Sequence, residues 1–469
     1  MKVLCFDIAS GGLSAAIIDE HLTALHAVEV PWTISLGSDG SAVLDLQTFD
    51  AAFLEGFRLL QESASTNRIA VDGICISAFM HNCIFLGERN EPLSPIFTWL
   101  DRRGEDGVEV VRRKLGDRFH SLTGCRYHPM FPVFKTASPS LRPVFARFAT
   151  VKTIALERLT GNSVEDYGAA SAAGLLDVRH SGWAPEILSL VRLQTSMLPA
   201  LGRREQIVGT VSANAAARYG IQSGVPVVAG SGDGFFATLG SGCERSDRIA
   251  ITLGTSASVR RVVDHPVLDE AAGTFCYRAD EKTFLLGCAG NNGGNVLDWA
   301  RAVFGRLPAA AAEHGDLPVF IPLLNGERSP EWDPGVRASW HGVSSTHTAD
   351  HLVQSVVDGV VFNLAHYVAM VERASGVPTR QAILSGNGFL NPATVQTLAA
   401  LLDAEVRLPS NQGMATLRGA ALCGLRGLGV DASAAVEEIV SSAAVISPNN
   451  ADVIRKRFDR YMEIRLSRR

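Results

Sequence analysis

The run Val3-Leu-Cys-Phe-Asp-Ile-Ala-Ser-Gly-Gly-Leu-Ser14 decides the fold: an apolar stretch, a polar Gly/Ser turn, then a second apolar stretch that continues to Ile18. Apolar runs on either side of a tight Gly-rich turn read as strand, hairpin, strand. The same pattern returns as Ile249-Ala-Ile-Thr-Leu, Gly254-Thr-Ser-Ala, and Ser258 to Val263. Setting Ala9 against Gly254 gives a separation of 254 − 9 = 245 residues, a little over half of the 469-residue chain. Two copies of one architecture, each opening with a β-hairpin, account for that spacing.

Working outward from the hairpins, further strands are expected at Val71–Ser77, Val225–Ala229, Thr283–Leu286 and Ala382–Leu384. Helices are expected at Thr48–Glu62, Asp106–Leu115, Asn292–Phe304, Ala349–Ser375 and Pro392–Leu402. The last opens with Asn391-Pro392, an N-cap followed by proline at the first helical position. Strands alternating with helices imply an α/β fold with largely parallel or mixed sheets covered on both faces. The polar stretch Gly240-Ser-Gly-Cys-Glu-Arg-Ser-Asp247 is the expected seam, giving domains of residues 1–243 and 244–469. Residues 305–318 read as a peripheral excursion.

Composition narrows the class. At ~100–200 residues per domain, a chain this long carries two or three domains. The chain is 46% hydrophobic and 19% charged, with 44 Gly scattered without a period, which excludes disorder, collagen and a coiled coil. A net charge of −5, and no basic cluster beyond the terminal Arg468–Arg469, argues against a nucleic-acid partner. The eight cysteines contain no C-x-x-C pair, so neither a zinc ribbon nor a redox dithiol is expected; Cys5 and Cys75 sit in apolar runs as buried thiols. Asp7 interrupts any signal-peptide core, and no uncharged apolar run of ~18 residues is found, so the chain reads as cytoplasmic, without a membrane partner.

Four Gly-rich turns follow apolar strands: Asp7–Gly12, Ala229-Gly-Ser-Gly-Asp-Gly234, Leu253-Gly-Thr-Ser-Ala257 and Leu384-Ser-Gly-Asn-Gly388. Such turns let consecutive backbone N–H groups close on phosphate oxygens. One is weak evidence, whereas four together favour a nucleotide. Neither a Walker A sequence nor a strand-anchored G-x-G-x-x-G is present. Gly254-Thr-Ser-Ala-Ser258 nearly matches a nucleophile elbow, but its last glycine is serine and no turn-to-helix pattern succeeds it, which argues against a serine hydrolase.

Asp233, between Gly232 and Gly234 beyond a strand end, is placed to take the proton of a substrate hydroxyl attacking phosphorus, or else to cap its own turn. Asp7 offers an oxygen ligand to Mg2+, directly or through water, or else is a turn acid, and Thr255 and Ser256 offer hydroxyls to phosphates or simply close a hairpin. A second group, His81 with Trp99, Asp101, Arg102 and Arg103, then His128 and Lys135, suits a polyhydroxylated ligand, with Arg or Lys meeting a carboxylate. Each of these, taken singly, reads as an ordinary core or surface residue.

With these motifs in order, the chain resembles the FGGY family of carbohydrate kinases, and within it the gluconokinases, from Lys2 to about Leu428. The resemblance rests on Phe79-Met-His-Asn82, Pro92–Arg103, Thr123–Met130, Asp166–Asp177, Gly230–Gly240, Ile251–Ser256, Asn291–Trp299 and Ile321–Pro330. It implies two actin-like (ribonuclease-H-like) domains flanking a deep cleft, with sugar mainly on the first and ATP-Mg2+ mainly on the second. On that resemblance Asp233 is the catalytic base, and Met80, His81, Asp101, Arg103, His128 and Lys135 lie toward the sugar. Ser10, Gly11, Gly254, Thr255, Asn295, Gly386, Gly388 and Asn391 lie toward the nucleotide, and Asp7 and Asp233 toward the metal. Family members are often homodimers, which is the expectation here.

One departure stands out. The family's first loop reads Asp-x-Gly-Thr-x-Ser followed by Lys or Arg, whereas here it is Asp7-Ile-Ala-Ser-Gly-Gly-Leu-Ser14, without the cation. Loss of a cation beside a transferring phosphate costs catalysis. The expected function is ATP-dependent phosphorylation of a sugar acid, foremost D-gluconate at its 6-hydroxyl. The alternatives are a ketose or sugar-alcohol kinase, and a weakly catalytic sugar- or nucleotide-binding sensor.

Overall fold

The computed structural model describes residues 1–311 and 316–467. Arg468–Arg469, and residues 312–315 of the expected excursion, lie outside the described residues. Strand β1 (Lys2–Ala9) pairs antiparallel with β2 (Gly12–Asp19), which pairs with β3 (Ala24–Pro31). Helix α1 (Leu46–Ser63) crosses over to β4 (Gly73–Ala78), parallel to β1. Strands β5 (Ile207–Thr210) and β6 (Pro226–Gly232) complete a sheet of order β5-β6-β4-β1-β2-β3. Helix α2 (Asp233–Gly240) comes directly after β6.

The second half repeats this plan. Strands β7 (Arg248–Leu253), β8 (Ala257–Val263), β9 (Phe275–Arg278) and β10 (Phe284–Gly290) precede helices α3 (Gly294–Phe304) and α4 (Ala349–Ser375). Strand β11 (Gln381–Ser385), α5 (Pro392–Ala399), β12 (Glu405–Leu408), α6 (Ala415–Gly427), β13 (Ala444–Val445) and α7 (Ala451–Leu466) come next. The sheet order is β9-β10-β8-β7-β11-β12-β13. Without edge strand β9, β10-β8-β7-β11-β12-β13 matches β3-β2-β1-β4-β6-β5 in order and direction. This is the paired actin-like (ribonuclease-H-like) architecture.

The repeat extends to side chains. The offset of 245 carries Asp7 onto Thr252 (252 − 7 = 245), and both sit across from a serine on each neighbouring strand. Ser77 Oγ donates to Asp7 Oδ1 at 2.9 Å, and the Thr252 and Ser385 hydroxyls lie 2.9 Å apart. The first domain presents an acid where the second presents a hydroxyl.

Helical periodicity explains the first core. Leu46, Phe49, Phe53, Phe57 and Leu60 line one stripe of α1, and Phe6 of β1 sits 4.9 Å from the rings of Phe53 and Phe57. The opposite face is covered from the far half of the chain: Leu417, Ala420, Ala421 and Leu425 of α6 join Val3, Cys5, Cys75 and Val228 in one core. Helices α6 and α2 cross so closely that a Cβ at Gly240 would lie 1.9 Å from the Ala415 carbonyl oxygen. Helix α4, capped by Thr348 and ended at Gly376, is the central helix of the second core. It is long and apolar enough to cross a membrane, but 89% of its apolar window is buried inside the protein. All eight cysteines are buried and unpaired.

Candidate active site

Strand β6 delivers Asp233 through a local irregularity. Its register against β4 shifts between Val228 and Ser231, and Gly230 there has φ +69°, where a Cβ would lie 1.8 Å from the Ile76 carbonyl oxygen. A bulge of this kind bends the strand end and re-aims the residues beyond it. Buried Lys152 fixes the bulge from below: its Nζ lies 2.6 Å from Asp166 Oδ1, 2.9 Å from Glu165 Oε1 and 3.3 Å from the Gly230 carbonyl. Ser231 Oγ donates to Asp166 Oδ2 at 2.6 Å. Asp233 then opens α2, its Oδ1 accepting the Gly234 N–H at 2.7 Å.

Two cavities meet at the second hairpin turn, and Asp233 lines the inner one. The inner one, about 280 Å3, is lined from the first domain by Ala9, Ser10, Met80, His81, Trp99, Met130 and Asp233. The second domain contributes Gly254–Ser256, Ser258, Arg260, Phe275, Tyr277, Ala289, Arg328 and Trp332. The outer cavity, about 860 Å3, is lined by Gly254, Thr255, Gly294, Leu297, Arg301, Gly386–Gly388, Leu390–Pro392 and parts of the 305–318 excursion (Leu307–Ala309). Gly254 and Thr255 belong to both walls.

The turn between the cavities is built by close packing against glycine. A Cβ at Gly294 would lie 2.6 Å from the Gly254 carbonyl oxygen, and at Gly293, 2.5 Å from Ser256 C. At Gly386, whose φ is +94°, a Cβ would lie 2.5 Å from the Leu253 carbonyl oxygen. Gly254 itself faces open space, and Thr255 is exposed. The amino end of α3 abuts this turn, its Gly294 N–H bonded to the Gly254 carbonyl at 2.7 Å. Asn295 holds the preceding turn, its Oδ1 accepting the Gly293 N–H and its Nδ2 donating to the Asn291 carbonyl. Asn391 caps α5 through the Ala393 N–H. A glycine-lined pocket with a helix amino end is suited to phosphate.

Electrostatics separate the acids. Burial raises the Asp7 carboxyl to about 7, helped by the negative charge of Asp233 and opposed by Ser77. Burial raises Asp233 as well, against the pull of Arg260 and of the Gly234 and Met80 backbone N–H groups. Two neighbouring hard carboxylates, one raising the other, suit a divalent cation. Asp7 and Asp233 are the carboxylates that could hold such an ion; among the described residues no group of three or more His, Cys, Asp or Glu gathers.

On the sugar side, His81 has φ +61°, a strained position for a side-chain residue, and its Nδ1 lies 2.7 Å from the Ala172 carbonyl. That bond assigns the proton to Nδ1 and leaves Nε2 an acceptor on the cavity wall. Burial, with the charges of Arg328 and Arg260, pushes its pKa down to about 3, so the ring is neutral.

The structure brings Met80, His81, Ser10, Thr255 and Asp233 to the inner cavity but not the remaining residues expected at the sugar. Asp101, Arg103 and Lys135 form a closed ion cluster: Lys135 Nζ and Arg103 Nη2 each lie 2.8 Å from an Asp101 carboxylate oxygen. Asp101 also accepts the Ala42 N–H at 3.0 Å, and these bonds hold the segment carrying Trp99. His128 accepts the Met130 N–H on Nδ1, has no partner on buried Nε2 among the described residues, and sits behind Trp332 with ring centres 6.0 Å apart. Gly11 lies at the tip of the first turn, where its carbonyl takes the Trp32 N–H.

Sequence reasoning passed over Arg260, Tyr277, Arg328 and Trp332, which all line the inner cavity. The signal was present for one of them. Arg260 and Arg261 interrupt the apolar strand Ala257–Val263, and alternate residues face opposite sides of a sheet. Arg261 turns away to Ser375 and Thr379, which leaves Arg260 for the cleft.

Fold and cleft thus define a phosphotransferase of two actin-like domains. The N-terminal domain model of the FGGY family of carbohydrate kinases matches residues 2–240, and its C-terminal domain model matches residues 249–428; the chain belongs to this family. It is 30% identical to a gluconokinase of Bacillus subtilis over 79% of this chain and 77% of that protein. The crystal structure of gluconate kinase from Lactobacillus acidophilus superposes with a TM-score of 0.87 at 25% identity, covering 99% of this chain and 98% of that one. A ligand-bound xylulose kinase from the same organism superposes with a TM-score of 0.87 at 26% identity over the same shares. The protein is a sugar kinase of the FGGY family, which uses ATP as phosphate donor.

Proposed function

We propose that this kinase phosphorylates a sugar acid, foremost D-gluconate to 6-phosphogluconate, with Asp233 as base. The carrying observation is the junction of the two cavities at Gly254–Thr255, with Asp233 on the inner wall. The sugar lies in the inner cavity between Met80, His81 and Trp99, and the nucleotide lies in the outer one along Gly386–Asn391. The substrate O–H attacks the γ-phosphorus, its proton passes to Asp233, and the bond from phosphorus to the β–γ bridging oxygen breaks to release ADP. Burial of Asp233 favours this, because a raised carboxyl accepts a proton more readily. Asp7 and Asp233 would hold Mg2+, which when bound neutralises phosphate charge. The likeness to gluconokinases supports the acid over a ketose, and the similar likeness to the xylulose kinase supports a ketose as the second reading.

The test is ADP release with ATP-Mg2+ across gluconate, other aldonates, pentuloses and polyols. Gluconate turnover that falls at least ~1,000-fold in Asp233→Ala supports both reaction and base. Turnover only on neutral sugars replaces the acid by the ketose reading, and turnover on none supports a binding protein instead.

A further inference from the structure

We infer that Arg260 and Arg328 together form the seat of the substrate's carboxylate and so set the preference for an acid over a neutral sugar. The inference rests on the sugar-acid reading above and supplies the residues that reading lacked.

The cationic side chains expected to serve this purpose are consumed elsewhere, since Lys135 and Arg103 both close on Asp101. Among the described residues Arg260 and Arg328 close no ion pair of that kind, although Arg260 feels the charge of Asp233. Among the described residues Arg260 Nε has no partner, and its bond within the protein is a 3.3 Å contact from Nη1 to Thr252 Oγ1. Arg328 is 7% exposed; its Nη2 donates to the Gly290 carbonyl at 2.8 Å, which leaves buried Nε unpartnered. Both side chains line the cavity, and a guanidinium presents its N–H groups in a fork that fits a carboxylate.

The placement favours the sugar over the nucleotide. Both arginines line the inner cavity and neither lines the outer one, where the glycine turns and the end of α3 lie. Arg328 packs its guanidinium 5.0 Å from the centre of the Trp99 ring, on the first-domain side of the cleft. Charge gives the same answer. The charged side chains on the inner wall are two guanidiniums and one carboxylate, Asp233, with His81 neutral beside them. Among the side chains that line the inner wall the guanidiniums outnumber the carboxylates by one, Asp7 lying next to Asp233 but not on that wall. An aldonate carries one negative charge, whereas a ketose or polyol leaves that excess unmatched.

The experiment compares D-gluconate with D-glucitol and D-xylulose on purified Arg260→Gln and Arg328→Gln proteins, each checked for folding by its thermal midpoint. The readout is the ratio of kcat/KM for the acid to that for the best neutral substrate. Titration calorimetry of gluconate without nucleotide gives a second readout independent of turnover. Each Gln variant is expected to lower the ratio at least ~30-fold and to weaken gluconate binding to a similar degree. Arg→Lys variants, which keep the charge but lose the fork, are expected to fall between, and they serve where a Gln variant fails to fold.

A ratio unchanged within about threefold overturns the assignment. So does an equal loss on acid and neutral substrates with a raised KM for ATP, which would give the guanidiniums to the phosphoryl group. Wild-type turnover on neutral sugars alone would refute the sugar-acid reading, and the inference with it. Wild-type turnover on gluconate with unaffected variants would refute the inference alone.

Discussion

The pairing of Asp7 with Asp233 makes the metal-free protein pH-sensitive in a calculable direction. Burial and the neighbouring carboxylate hold Asp7 at about 7 in the folded state, against ~3.9 in an unfolded chain. Between these values the folded protein keeps a proton that the unfolded chain has released, so stability is present below about pH 4 and lost as pH rises through about 7. The full difference is worth at most ~4 kcal/mol, and the partial exposure of Asp7 reduces it to ~2 kcal/mol. Asp7→Asn removes the charge while its Oδ1 still accepts from Ser77. At ~2–4 °C per kcal/mol for a domain of this size, the Asn variant should unfold ~4–8 °C higher than wild type at pH 8. The gap should shrink to ~1 °C at pH 4.5. Scanning calorimetry in chelator, without nucleotide, measures both. Millimolar Mg2+ should lift the wild type and narrow the gap at pH 8. An Asn variant less stable than wild type at pH 8, or a gap equal at both pH values, would refute the reasoning.

The same geometry sets two further outcomes. Lys152→Met leaves Glu165 and Asp166 buried without their cation. It should cost about 3–5 kcal/mol by denaturant unfolding and lower kcat, because the bulge that aims Asp233 loses its anchor. Gly386→Ala places a Cβ against the Leu253 carbonyl at positive φ. It should raise the KM for ATP by about tenfold more than that for the sugar, measured by steady-state kinetics, because the shift falls on the outer wall.

The hairpins were legible because they are local. In Asp7–Ser14 and in Leu253–Ala257, strand, turn and strand lie close together along the chain, and apolar runs with glycine at the turn suffice to specify them. The repeat at 245 residues and the acid Asp233 at a strand end were legible for the same reason. The ordered motifs shared with the family carried the rest of the fold. Helix Ala415–Gly427, which covers the first sheet, is assigned to that face only by its packing.

Side-chain partnership was not legible. By residue type, Lys135 and Arg103 were as good a match for a carboxylate as Arg260 and Arg328. What separates the two pairs is where Asp101 stands, and Asp101 is 34 residues from Lys135 along the chain yet bonded to it at 2.8 Å in space. The linear chain alone thus specifies a duplicated α/β kinase with an acid at the end of a strand. Which cations stay free for a ligand is settled only on folding. A buried charge is satisfied by whatever the folded chain brings within hydrogen-bonding reach, and that distance is not written in any local pattern.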